Sequence, residues 1–193
     1  MTPLSLAVFI SGNGSNLQAL IDACATPDFP ARIAFVFSNK DGAYGLERAA
    51  KAGIPTEVLS HKGFASREEY DAAVLDILDR YTVDLVCLAG FMRIVTPVLI
   101  NPWQGRMINI HPSLLPDYKG LDTHARVLAD GKKKHGCTVH FVVPEMDAGP
   151  IITQREVPVL AGDTPDILAA RVLEQEHIAY PDAIRMIAPQ IKR

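Results

Sequence analysis

Hydrophobic positions fall along this chain in short unbroken runs that alternate with runs spaced at three and four. Leu4, Leu6, Ala7, Val8, Phe9 and Ile10 form a nearly continuous apolar stretch, as expected of a strand buried on both faces of a parallel sheet. A glycine-rich turn over residues 11–16 follows, and then Leu17, Leu20, Ile21 and Cys24 mark one face of an amphipathic helix. The alternation repeats, with a strand expected over residues 33–37 and a helix over 44–52 closed by Gly53. A third strand is expected over 55–59. Ser66 and Glu69 form a capping box, and Tyr70, Val74, Ile77, Leu78 and Tyr81 mark the buried face of the helix they open. Residues 84–89 predict another buried strand, ending at Gly90, and residues 107–110 a further short one.

The rhythm changes after Gly136. Residues 137–143 and 151–159 are two β-rich runs with little helical material between them, which predicts antiparallel pairing. Thr164 followed by Pro165 opens a last helix through Leu168 and Val172, which Pro181 should kink or split. Strand alternating with helix signals right-handed βαβ units. The fold class predicted is α/β: a doubly wound, Rossmann-like, mostly parallel sheet with antiparallel strands near the C-terminal part. Neither repeat, low-complexity tract nor linker interrupts it, so one domain is expected over residues 1–193.

Composition narrows the function classes. The chain has 193 residues, enough for one well-buried core, and its formal charge of -3 argues against a nucleic-acid-binding surface. Lys132, Lys133 and Lys134 are a local exception and read as a solvated turn, because they lie between a helix-like stretch and a strand-like one and have no aromatic partners. Cys24, Cys87 and Cys137 are scattered in apolar contexts, which suggests reduced, buried thiols in a cytoplasmic protein. A basic segment leading into an apolar core is missing at the N-terminus, and the apolar runs are too short to span a bilayer. No membrane partner is therefore expected.

In open parallel sheets, ligands bind beyond the carboxyl ends of the strands, and three segments there carry candidate chemistry. The loop Ser11-Gly12-Asn13-Gly14-Ser15-Asn16 starts a helix whose free N–H groups favour an anion. A bound phosphate and a plain capped turn are both compatible with it. Asn109 and His111 stand two apart at a strand end, so both side chains leave one face and both can donate to one developing oxyanion. Asp147 precedes the tight turn at Gly149 and Pro150; it serves either as the carboxylate partner of a histidine or as a turn former. Glu176 and His177 on the last helix are open to the same two readings. Motifs for zinc, calcium or a serine nucleophile are absent, so no metal is expected. The segment 115–123, rich in Pro and Gly, reads as a mobile flap.

Six stretches go further: SGNGSNLQAL near the start, LAGFMRI at 88–94, INIHPSLLP at 108–116, HGCTVHFV at 135–142, MDAGPII at 146–152 and EQEHIAYP at 174–181. Together and in this order, the chain closely resembles the phosphoribosylglycinamide formyltransferases, folate-dependent enzymes of purine biosynthesis. The resemblance implies that 10-formyltetrahydrofolate, as co-substrate, donates a formyl group to the amine of glycinamide ribonucleotide. It also implies a catalytic trio of Asn109, His111 and Asp147. Gly14, Ser15 and Asn16 would hold the substrate phosphate, with Glu176 at its glycinamide end. Arg67, Met92, Arg93, Ile94, Val95, Val143, Pro144, Glu145 and Met146 would line the folate pocket. Ala148, Lys119 and Asp117 depart from residues common in bacterial members. Both partners would be small molecules, and the protein a monomer or a homodimer. A formyltetrahydrofolate hydrolase shares the Asn-His-Asp core but normally carries a further N-terminal domain. A methionyl-tRNA formyltransferase needs a basic C-terminal domain for tRNA. A non-catalytic phosphate-binding module on the same fold is the remaining alternative.

Overall fold

Leu4–Ile10 forms the first strand, β1, and lies near the middle of a seven-stranded sheet in a computed structural model that describes residues 2–191. All seven of its residues are buried, and the strand's two-residue period sends them to opposite faces. Leu4, Leu6, Val8 and Ile10 enter one hydrophobic cluster, while Ala7 and Phe9 enter the other.

The chain then runs through α1 (Ser15–Cys24), β2 (Ala31–Ser38), α2 (Tyr44–Lys51), β3 (Thr56–Val58), α3 (Arg67–Leu78), β4 (Leu85–Leu88), α4 (Pro97–Ile100) and β5 (Met107–His111). After α5 (Thr123–Ala129) come β6 (Lys134–Phe141), β7 (Ile151–Pro158) and α6 (Pro165–Ile187). The strand order is β3-β2-β1-β4-β5-β6-β7. The first five strands are parallel, and β6 and β7 join antiparallel. The sheet therefore has a switch point between β1 and β4, where loops leave in opposite directions and a crevice opens. Leu17 and Leu20 of α1 and Tyr180 and Ile184 of α6 cover one face; Tyr70 and Val74 of α3, with Leu99 and Trp103, cover the other.

Most expected elements are present, with boundaries shifted by a few residues. Helix α2 closes on Gly53 (φ 68), whose N–H meets the Ala50 carbonyl while the Ile54 N–H meets that of Ala49, the paired bonds of a Schellman turn. Ser66 caps α3 by accepting from the Glu69 N–H at 3.1 Å. Glu69 reaches back one residue further than the capping box predicts, to the N–H of Ala65. Tyr81 lies beyond the end of α3 yet stacks on Phe35 with ring centroids 4.1 Å apart, so its burial signal belongs to a loop residue. Lys134 begins β6 rather than ending a turn.

Helix α6 is not split at Pro181. It runs unbroken for 23 residues, with Ala179, Tyr180, Ala183 and Ile184 fully buried around the ring. A helix-interior proline costs roughly 3 kcal/mol, chiefly one missing N–H donor and a ring clash, and packing of this extent outweighs it. Helix α5 is the helix-like stretch before Lys132, whereas α4 has no counterpart among the expected elements: at four residues it is too short to display a hydrophobic repeat.

Candidate active site

Ser11 ties the crevice together: its Oγ donates to Asn39 Oδ1 at 2.6 Å and accepts from the Met92 N–H at 2.7 Å, linking the loops after β1, β2 and β4. One strand further on, the pleat of β5 sends Ile108 and Ile110 into the core and Asn109 and His111 to the other side. The antiparallel register then sets His140 directly opposite Asn109 and Thr138 opposite His111.

This register decides the orientation of the Asn109 amide. His140 Nδ1 lies 2.9 Å from the Phe141 carbonyl, which can only accept, so Nδ1 carries the proton and Nε2 offers a lone pair. Asn109 Nδ2 stands 3.3 Å from that Nε2. One amide N–H is thus taken up by His140, and the second is left for an acceptor in the cavity. Burial pushes the His140 imidazole below its ordinary pKa, against the opposing pull of the Phe141 carbonyl and the Asp147 charge, which keeps the ring neutral as this role requires.

His111 is 5% exposed and held at both ends. Its Nε2 lies 2.9 Å from the Tyr118 carbonyl, and its Nδ1 lies 3.5 Å from Asp147 Oδ2. Both nitrogens face acceptors, so the ring can donate on both sides once doubly protonated. Asp147 sits on the turn between β6 and β7 with φ 50, a left-handed conformation that Asp tolerates better than most residues. Its Oδ2 also accepts from the Gly120 N–H at 2.9 Å. The turn needs Gly149, because a Cβ there would overlap the Phe141 carbonyl oxygen. Across the strand pair, Thr138 Oγ1 donates to the Ser113 carbonyl at 2.6 Å and accepts from the Leu115 N–H at 3.0 Å, fixing the chain as it leaves β5.

These groups form the floor of a cavity of about 680 Å³. Met92, Arg93, Ile94 and Val95 line one wall, and Val143, Pro144, Glu145, Met146 and Asp147 another. Leu121, Asp122, Thr123 and His124 close a third side. Met92 at 69% exposure and Leu121 at 77% leave large apolar surfaces in water at the rim, which suits a site that buries a mostly apolar ligand. Arg93 stacks over Tyr70 at 4.4 Å, with its Nε buried and unpartnered among the described residues.

Gly14, Ser15, Asn16 and Glu176 do not line this cavity but form a second cluster at the start of α1. Gly14 adopts φ 73, and no side chain caps the helix, so its first N–H groups stay open to an anion. Asn16 Nδ2 donates to Glu176 Oε2 at 2.7 Å, joining α1 to α6; burial raises the Glu176 carboxyl pKa and this hydrogen bond opposes the rise. Asn16 Oδ1 and His177 Nε2 are buried without partners among the described residues. Arg67 is exposed on the first turn of α3 and lies outside the cavity lining.

Sequence reasoning overlooked His140, whose signal lay only in the strand register, and the Tyr118 carbonyl and Gly120 amide, which are invisible in side-chain patterns. Among the described residues, no three His, Cys, Asp or Glu side chains are grouped as metal ligands. The three cysteines are free: Cys87 and Cys137 are buried and Cys24 partly so. Burial pushes the thiols of Cys24 to about 11 and Cys137 to about 12, with Cys87 higher still, leaving them chemically quiet.

Comparisons with known proteins place this geometry. The family model described as formyl transferase matches residues 4–184. The phosphoribosylglycinamide formyltransferase of Escherichia coli (strain K12) is 52% identical over 185 residues, covering 96% of this chain and 87% of that protein. The trifunctional purine biosynthetic protein adenosine-3 of Gallus gallus is 50% identical over 185 residues, covering 96% of this chain, which spans only 18% of that protein's length. The crystal structure of phosphoribosylglycinamide formyltransferase from Brucella melitensis superposes with a TM-score of 0.93 at 51% identity, covering 97% of this chain and 96% of that one. With one seven-stranded sheet of matching form and a family match spanning nearly its whole length, this chain belongs to the formyl transferase family.

Proposed function

We propose that the protein transfers the formyl group of 10-formyltetrahydrofolate to the amine of N1-(5-phosphoribosyl)glycinamide in de novo purine biosynthesis, with Asn109, His111 and Asp147 as its catalytic residues. The observation that carries this reading is the meeting of the three at the floor of one large, mostly apolar cavity beyond the sheet's carboxyl edge. A volume of about 680 Å³ with apolar walls fits a bulky, ring-containing co-substrate such as a reduced folate. The open N–H groups at Gly14, Ser15 and Asn16 suit the substrate's phosphate, and the buried Glu176 its sugar and glycinamide end.

When the amine adds to the formyl carbon, negative charge develops on the formyl oxygen. The free N–H of Asn109 points into the cavity and donates to that oxygen. His111 supplies the second hydrogen bond from Nε2, the position that the Tyr118 carbonyl now holds. Segment 115–123 must therefore release that donor during the reaction. Asp147 stabilises the charged imidazole at Nδ1 and takes the proton leaving the amine, directly or through a water; the tetrahedral adduct then breaks its bond to the folate N10, which takes up that proton and leaves as tetrahydrofolate while the formyl carbonyl re-forms on the substrate nitrogen. No side chain needs to form a covalent bond. The protein works on small soluble metabolites, and we place it in the cytoplasm, in keeping with its three free thiols. Among the described residues no helix is long and apolar enough to cross a membrane.

The test is a spectrophotometric assay with 10-formyltetrahydrofolate, with and without the ribonucleotide. Tetrahydrofolate formed only when the ribonucleotide is present is the expected result. Equal release without it would make the protein a hydrolase, and no release in either arm would overturn the catalytic reading.

A further inference from the structure

The loop proposed to hold the substrate phosphate is gripped from outside by one side chain that the chemistry above does not use. Arg48, on α2, donates from Nε to the Asn13 carbonyl at 2.9 Å and from Nη2 to Asn13 Oδ1, also at 2.9 Å. Its Nη1 reaches Gln18 Oε1 on α1 at 3.3 Å, and its guanidinium lies over the Tyr44 ring at 4.9 Å. A planar fork with fixed donors suits this three-way contact; an ammonium does not. The same helix presses on the loop with its backbone. Gly45 donates its N–H to the Gly12 carbonyl at 3.0 Å, and a Cβ on Gly14 would come within 2.7 Å of Gly45 Cα. Gly14 holds φ 73, one of many conformations open to a glycine, so the turn that exposes the first N–H groups of α1 has to be selected by the contacts around it.

We infer that Arg48 is a positioning residue for the anion site: it acts through Asn13 to hold the Gly14-Ser15-Asn16 backbone in the shape that receives the substrate's phosphate. It serves phosphate recognition and not formyl transfer, because it belongs neither to the cavity lining nor to the hydrogen bonds of Asn109, His111 and Asp147. This rests on the substrate reading proposed above.

Steady-state kinetics of Arg48→Ala and Arg48→Lys test it, with melting curves to verify folding. For Arg48→Ala, the KM for glycinamide ribonucleotide should rise roughly tenfold, about 1.4 kcal/mol, while kcat and the KM for the folate stay within about twofold. Arg48→Lys keeps the charge but loses the fork, and should resemble Arg48→Ala. Recovery of the parental KM by lysine would overturn the positioning role in favour of simple attraction between charges. An unchanged KM in both variants would overturn any role at this site. A parent protein that transfers no formyl group to the ribonucleotide would instead sink the substrate reading itself.

Discussion

At the scale of single residues, the proposed chemistry turns on one amide that is aimed by a neighbour and keeps a donor free. That amide belongs to Asn109, with one N–H engaged by His140 and the other open. Replacing it with Ala should lower kcat by about a hundredfold to a thousandfold, the usual cost of one oxyanion donor, without lowering the melting temperature appreciably. His140→Phe keeps an aromatic ring at this buried position but loses the acceptor that orients the amide; its kcat should fall by about tenfold. Near-parental turnover in either variant would remove the assigned role. That Asn109, His111 and Asp147 would meet was legible in the sequence, from residue types at a strand end and from the family resemblance of the loop. The part played by His140 was not. It sits 31 positions from Asn109, and only knowledge of which strand residue faces which would have paired them. The donors and acceptors of segment 115–123 escaped for a different reason, being main-chain groups that every residue carries.

At the scale of elements, the segment 115–123 is held over the site by its backbone. The Tyr118 carbonyl meets His111, the Gly120 N–H meets Asp147, and Arg126 of α5 binds the carbonyls of Lys119 and Leu121 at 2.7 and 3.1 Å. Tyr118 and Asp122 both adopt positive φ, so the path is defined but costly to hold. If this segment yields the His111 donor during turnover, hydrogen exchange at the Gly120 amide should change by about tenfold or more when folate and a non-reacting ribonucleotide are bound together. Exchange unaltered by the ligands would rule out the rearrangement. Sequence patterns revealed the long elements and missed α4, because hydrophobic periodicity needs about two turns to declare itself. The expected split at Pro181 fails for the opposite reason: a strong local rule was overridden by packing around a long helix.

At the scale of the whole molecule, buried histidines tie stability to pH. Burial, with the neighbouring His124 and His111 charges, holds His135 at about 4, against about 6.5 in an unfolded chain. The folded state therefore binds fewer protons than the unfolded one between those values, and stability falls as pH drops from about 6.5 to about 4. The loss from His135 alone approaches roughly 3 kcal/mol. His124, His140 and His177 are lowered chiefly by burial and act in the same direction. Asp71 and Glu176 are raised by burial and act in the opposite one. Urea unfolding at pH 7, 5 and 4 should show the decline, and His135→Gln should flatten it. A variant as acid-sensitive as its parent would remove His135 from the account. The sheet's mixed character was legible at this scale because one change of rhythm after Gly136 announced it, whereas the histidine cluster was not, since its members come together only through α5 and β6.

The junction between the parallel and antiparallel strands also sets the order in which a growing polypeptide acquires its parts. Asn109 and His111 leave the ribosome on the last parallel strand, and the loop that would take the phosphate is made long before them. His140, Asp147 and Glu176 arrive only with the final hairpin and helix. Since chains tend to fold from the N-terminus as they are made, a molecule synthesised only as far as β5 would have the parallel strands but neither the His140 ring that meets the Asn109 amide nor the Asp147 carboxylate beside His111. On the proposed mechanism, reactivity toward a formyl donor would be withheld until β6, β7 and α6 have docked on that sheet.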